Sequence, residues 1–219
     1  MHGKLRRTAP PTSLAERKRQ LVRDELTEAA LGLLAWRGFE ATTIDQIVAA
    51  AGVSRRTFFR YFQSKEDVIV QFLGEVGAEL RAALAGRPAS EPPAVALRQA
   101  VSVFVEACAD DPEKSLRLVQ LMLGTPAVLA RYLRMQAQWR DELARELARR
   151  AGLDPTRDLH PALAAAVALA AFDTALHQWA GQDGAPDLAA LTDRAFAAVA
   201  PALDPGPEAG APPGPPGGR

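Results

Sequence analysis

Thr42 to Lys65 reads TTIDQIVAAAGVSRRTFFRYFQSK, and its spacing predicts two short helices joined by a tight turn. Ile44, Ile47, Val48 and Ala51 recur at i, i+3, i+4 and i+7, one face of a helix. Thr42 stands where an N-cap is needed, with Asp45 three residues on as a shortened capping box. Gly52 follows the last periodic residue and can take the left-handed conformation that ends a helix. Val53 is apolar and can plug the gap between the two helices. Ser54 is a natural N-cap for the second, Arg55 to Phe62. Phe58 and Phe62 share one side of that helix, which leaves Arg55, Arg56, Thr57, Phe59, Arg60 and Tyr61 outside or at the margin.

A helix carried this way has a specific use. Laid in a major groove, it sets its N-terminal residues against base edges. Arginine there can pair with guanine O6 and N7, and threonine can touch a thymine methyl. Tyr61 and Lys65 lie further along, within reach of backbone phosphate. The plainer reading is a helical hairpin with a basic face, which an acidic protein partner would also suit.

The distribution of charge favours nucleic acid. The 219 residues carry 26 Lys and Arg against 26 Asp and Glu, a formal charge of zero. Residues 1–65 hold 12 basic and 6 acidic side chains, so that segment is +6 and the remainder, with 14 and 20, is −6. A basic N-terminal third against an acidic remainder suits nucleic acid at one end only. Cys108 is the single cysteine, which excludes an internal disulfide and a cysteine metal cage. No stretch reads as the roughly 20 apolar residues that span a bilayer. Residues 1–20 lack the apolar core of a signal peptide, so a cytoplasmic protein is expected.

The rest of the chain reads as helices. Residues 1–13, with Lys4, Arg6, Arg7 and Pro10-Pro11, read as a disordered basic arm: a solvated tail, or one that reaches a minor groove. Ser13 or Thr12 can open a first helix to about Arg37, with Leu26, Ala29, Ala30, Leu33 and Leu34 as its apolar stripe. Ser64 can cap a fourth helix to about Ala85. Gly74 and Gly77 inside it cost about 1 kcal/mol each relative to alanine, and signal either close helix packing or a soft connector. GRPASEPP (86–93) breaks the chain. Helices then follow over about 94–109, 113–124, 125–151, 160–180 and 186–203. Leu129, Tyr132, Leu133, Gln136, Trp139, Arg140 and Leu143 trace the inner face of the long one. Residues 204–219 are rich in proline and glycine and read as a disordered tail.

The stretch AALGLLAWRGFEATTIDQIVAAAGVSRRTFFRYFQSKEDVI (29–69) resembles the DNA-binding domain of the TetR/AcrR family of one-component repressors. The likeness rests on Arg37-Gly38-Phe39, Thr42-Thr43, Gly52-Val53-Ser54, Phe58-Phe59, Tyr61-Phe62 and Ser64-Lys65-Glu66. It implies an all-α fold: a three-helix helix-turn-helix DNA-binding domain at 14–64 and a helical ligand-binding and dimerisation domain at 65–203. It implies a homodimer, formed by the last two helices, on palindromic operator DNA. By position, Thr43 is expected to meet phosphate. Ser54 caps the reading helix. Arg55, Arg56 and Thr57 face base edges, and Phe59, Tyr61 and Lys65 set the helix against the backbone. In such proteins the fourth helix couples effector binding to the separation of the DNA heads.

Candidate chemistry elsewhere is sparse. Asp173 and His177, four apart on a helix, are the type of pair that serves metal sites and general-base catalysis. No nucleophile or third ligand stands at a recognisable spacing, and no phosphate loop or HExxH is present. A satisfied polar pair is the simpler reading, with a helical enzyme as the rival. No metal, no cofactor and no catalytic residue is therefore expected. Phe104, Met122, Tyr132, Met135, Trp139, Phe172 and Trp179 form either core or the wall of a site between helices. The resemblance implies a small-molecule effector among the middle helices, apolar or amphipathic, with Gln120, Arg140, Asp173 and His177 as its polar anchors. Repression is expected, with activation by the same fold as the alternative.

Overall fold

A computed structural model describes residues 13–204. Among them are nine α-helices and no strand: α1 Leu14–Arg37, α2 Ile44–Ala50, α3 Arg55–Tyr61, α4 Lys65–Ala85, α5 Pro93–Asp110, α6 Pro112–Gly124, α7 Pro126–Ala151, α8 Leu159–Gly181 and α9 Leu188–Leu203. The expected basic arm and proline-rich tail lie outside the described residues, apart from their inner ends. Ser13 is the N-cap of α1, in a capping box with Glu16. Asp204 turns back and accepts the Ala94 N–H at 2.9 Å, where Pro92 offers α5 no side-chain cap.

The described residues bury two apolar clusters. Leu26, Ala30, Ile47, Val48, Phe58, Phe62 and Val68 form a small one that ties α1, α2 and α3 to the start of α4. The larger one fills the space among α4–α9 and draws in Leu34 and Phe39. So α1 serves both. Its contacts with the body are polar as well: Arg23 pairs with Glu75 of α4 at 3.0 Å, Lys114 of α6 pairs with Glu28, and the Arg117 guanidinium lies 4.4 Å from the Trp36 ring centroid.

Several local expectations need correction. The N-cap of α2 is Thr43, in a capping box with Gln46, and not Thr42 paired with Asp45. Thr42 is 1 % exposed. Its hydroxyl donates to Gly38 O at 2.8 Å and lies 3.3 Å from Leu33 O, closing the end of α1. On α7, Leu133 is 53 % exposed and Arg140 faces solvent, hydrogen-bonded to its neighbour Asp141. Heptad-like spacing overshot the buried stripe, because α7 is covered by α4 and α8 and leaves one side open.

The expectation that no stretch could span a bilayer also fails as stated. Leu159–Gly181 is long and apolar enough by length and composition, and half of it is buried inside the fold. Its packing explains the composition: Ala164, Ala165, Ala168, Leu169, Ala175 and Leu176 are buried, in a helix touched by α5, α6, α7 and α9.

Candidate functional site

Phe58 and Phe62, 0 % and 1 % exposed, root α3 in the small core. Their rings stand 5.5 Å apart. Gly52, at φ +64°, makes the turn that brings α3 across α2, since a Cβ there would strain the backbone. With Phe58 and Phe62 fixed inward, Ser54, Arg55, Arg56, Phe59 and Arg60 are exposed and Thr57 half-buried. Ser54, Arg56, Thr57, Phe59 and Arg60 line one open concavity.

The polar groups of this surface differ in how they are held. Ser54 Oγ accepts the Thr57 N–H at 3.1 Å and pairs with the Thr57 hydroxyl at 3.0 Å. Arg55 Nη1 donates to both Asp45 oxygens, at 2.7 and 2.9 Å, and its guanidinium carbon lies 5.9 Å from the Phe59 ring centroid. Arg56 has no hydrogen-bond or ion-pair partner among the described residues. Arg60 stacks on Tyr61 at 5.0 Å. Thr43 is exposed, and its hydroxyl is occupied by the Gln46 N–H at 3.3 Å. Lys65 is drawn inward: Nζ donates to Phe39 O at 2.6 Å, lies 3.3 Å from Thr42 O and sits 4.1 Å from the Phe39 ring centroid. A surface of this kind offers three arginines and two hydroxyls to an anionic, flat-edged partner, which is the chemistry of a DNA groove.

In the body, the structure brings together most of the expected cluster. Phe104 and Phe172 meet edge to face at 5.4 Å, and Tyr132 and Trp139 at 6.0 Å. Met122 is buried and Met135 half-buried. Asp173 is the hub of a polar network: Tyr132 Oη donates to its Oδ1 at 3.0 Å and Gln136 Nε2 at 2.9 Å. His177 Nδ1 lies 2.9 Å from the Asp173 backbone oxygen and 3.3 Å from its carboxylate. Burial above all, and then the adjacent Asp173 charge, push the Tyr132 hydroxyl well above its ordinary range, so it stays a donor.

Two expected anchors are elsewhere. Arg140 is on the surface, and Gln120 reaches the turn after α8, donating to Ala180 O at 3.1 Å and Asp183 at 3.0 Å. Gln136 was missed as a site residue, although its place one turn after Tyr132 was a usable signal. Among the described residues no group of three or more His, Cys, Asp or Glu could hold a metal. Cys108 is buried, its thiol pushed up to about 12 by desolvation, which leaves it inert as a nucleophile.

Residues 26–72 match the family model for bacterial regulatory proteins of the tetR family, and residues 91–204 match the model for the MftR C-terminal domain. The HTH-type transcriptional regulator TcmR of Streptomyces glaucescens is 34 % identical over 180 residues, 80 % of this chain and 80 % of that one. The putative mycofactocin biosynthesis transcriptional regulator MftR of Mycobacterium tuberculosis is 29 % identical over 195 residues, 89 % of this chain and 98 % of that one. The fold is similar to that of Thermus thermophilus FadR, a TetR-family repressor solved with lauroyl-CoA, at a TM-score of 0.54 and 27 % identity over 88 % of this chain and 100 % of that one. An all-α fold with an exposed, core-rooted second helix after a tight turn defines a helix-turn-helix DNA-binding regulator of transcription. The chain belongs to the TetR family.

Proposed function

We propose that this regulator is a repressor that binds a palindromic operator as a homodimer and is released by a small apolar or amphipathic molecule held in the helical body. It works in the cytoplasm, without a cofactor, and is not an enzyme. The observation that carries the reading is α3: two fully buried phenylalanines hold it so that Ser54, Arg55 and Arg56 stand exposed at its tip with Thr57 half-buried beside them, in the third of the chain that holds the excess of positive charge. Thr43, Phe59 and Tyr61 flank that tip, where they would set it against the phosphate backbone, while Lys65, its Nζ held by Phe39 O and Thr42 O, braces the loop beside it.

Two further observations support the dimer and the effector. Ala162, Leu163 and Ala170 of α8 are exposed, so the most apolar helix turns an uncharged face outward, as a self-complementary interface needs, and beside it Ala190, Ala197 and Ala198 of α9 are exposed around Arg194. The aromatic pairs around Phe104, Phe172, Tyr132 and Trp139, with the Asp173 network beside them, supply the mix of apolar wall and few polar groups typical of a small-molecule site. The 27 % identical FadR from Thermus thermophilus holds lauroyl-CoA, which makes long-chain acyl-CoA the first effector to try.

The test is a retardation titration of the full chain on duplexes from upstream of its own gene, at several salt concentrations, with and without long-chain acyl-CoA. Sequence-selective binding by two chains per site, with log affinity falling linearly in log salt, is expected, as is release by effector. Failure to retard any duplex at low salt would refute the DNA-binding role proposed for α3.

A further inference from the structure

Arg55 and Arg56 are neighbours on one helix turn, and the fold treats them differently. Arg56 is unheld among the described residues. Arg55 is fixed from two sides. Asp45, on the first turn of α2, takes Nη1 with both carboxylate oxygens at 2.7 and 2.9 Å. The Phe59 ring lies beneath the guanidinium at 5.9 Å, within the range of a cation–π contact. Phe59 is in turn locked edge to face on the buried Phe58, with centroids 5.4 Å apart and planes at 89°. The Asp45–Arg55 pair is exposed, at 67 % and 58 % of the side chains, and an ion pair in that setting adds little to stability. Its consequence is positional.

The geometry points to Asp45 as the positioning residue that makes Arg55 the guanine reader of each half-site, an assignment that rests on the proposed DNA-binding role of α3. Asp45 engages Nη1 alone, so Nε and Nη2 keep free donors on one edge of the planar fork. That edge matches the O6 and N7 acceptors of guanine in the major groove. A guanidinium held before binding loses less rotamer freedom on contact than a free one. The carboxylate also repels phosphate, which keeps Arg55 from satisfying itself on the backbone as Arg56 can. Thus Arg55 confers base choice, and Arg56 confers affinity without sequence.

The experiment uses the full chain and a duplex selected by it from a random library. Wild type should show an invariant guanine per half-site. Replacement of that guanine by 7-deazaguanine, which lacks N7, or by adenine should weaken binding about tenfold or more. Asp45→Ala and Arg55→Ala should each lose this discrimination, and the double variant should lose no more than either alone. Arg55→Lys should behave as Arg55→Ala in discrimination while keeping its affinity for random duplex. Arg56→Ala should weaken all sequences alike. Thermal unfolding of each variant should match wild type, which separates positioning from folding. Full discrimination in Asp45→Ala, or a uniform gain of affinity for every sequence there, would overturn the inference and make the pair a brake on binding. A wild-type chain that retards no duplex at all would remove the underlying DNA-binding reading instead.

Discussion

Gly74 and Gly77 lie three residues apart on α4 and have opposite significance. A Cβ built on Gly77 would stand 2.0 Å from Trp139 Nε1 and 2.3 Å from its Cδ1. A Cβ on Gly74 would meet only Met135 Cε, at 3.9 Å, an ordinary contact. The soft-connector reading therefore gives way at Gly77 to close approach of a buried indole. Gly77→Ala is expected to cost about 1–3 kcal/mol through overpacking. Gly74→Ala is expected to gain up to about 1 kcal/mol from helix propensity. Urea unfolding of the two single variants checks both signs. Lys65 shows the same dependence on surroundings: a lysine placed by sequence near phosphate is anchored here by Phe39 and Thr42 carbonyls, so it braces the α1–α2 loop whatever else it meets.

At the scale of elements, the helix starts follow from local chemistry. Ser54, Ser64 and Asp187 each cap the helix that follows through their own side chains. The end of α4 combines local and distant partners. Its own turn closes through Gly86 N–H to Ala82 O at 3.0 Å and Arg87 N–H to Leu84 O at 3.2 Å, and Arg150 of α7 donates through Nη1 to Leu84 O at 3.1 Å and Arg87 O at 2.6 Å, and through Nη2 to Pro88 O at 2.8 Å. This one side chain joins the α4 end and the α4–α5 loop to α7. Arg150→Ala should cost about 1–3 kcal/mol, since three carbonyls lose a charged donor. Hydrogen exchange should rise at the last turn of α4 and residues 86–92 while α3 stays protected. Equal exchange in the two proteins would show that water replaces the guanidinium at no cost.

At the scale of the molecule, two predictions concern the joint between the DNA-binding head and the body, and the proposed joint between copies. Glu79 of α4 is partly buried, and its Oε2 has no partner among the described residues. Burial, first, and the Glu75 carboxylate one turn away, second, push its pKa up from 4.5 to about 7. The folded chain then keeps a proton that the unfolded chain has lost over that window. Stability contributed by this group must fall as pH rises from about 4.5 to about 7. Glu79→Gln should flatten that part of the pH profile and be more stable than wild type at pH 8, as read by thermal unfolding. Because Glu75 also pairs with Arg23 of α1, the Glu79 charge acts beside the contact that ties head to body. For the proposed joint between copies, Ala170→Arg places a charge on the exposed apolar face of α8. It should yield a monomer by sedimentation and reduce operator affinity at least tenfold, while leaving the helical content of each chain intact. A dimer that survives the change would move the interface elsewhere.

Helix spans, caps and the helix-turn-helix were legible in the residues, because they depend on hydrogen bonds three or four residues apart and on periodic burial. Phe58 and Phe62 alone settle which way α3 faces, and Gly52 settles where it begins to turn. Even there the cap fell one residue off, at Thr43, since either threonine satisfies the local pattern and only burial of Thr42 beneath α1 chooses between them. The body was legible as helices and as an aromatic cluster. Which members of it meet was not. Gln120 and Arg140 have the residue types of anchors, but the faces left open by neighbouring helices decide where such side chains go.

By itself, then, the order of residues determined an all-helical regulator of the TetR kind with a basic, arginine-tipped reading helix. Tertiary structure alone decided that Arg55 is held and Arg56 is not, that Gly77 must be glycine, and that Arg150 ties the end of α4 to α7. Each of those depends on atoms brought together from separate helices, a matter of packing that no local spacing encodes.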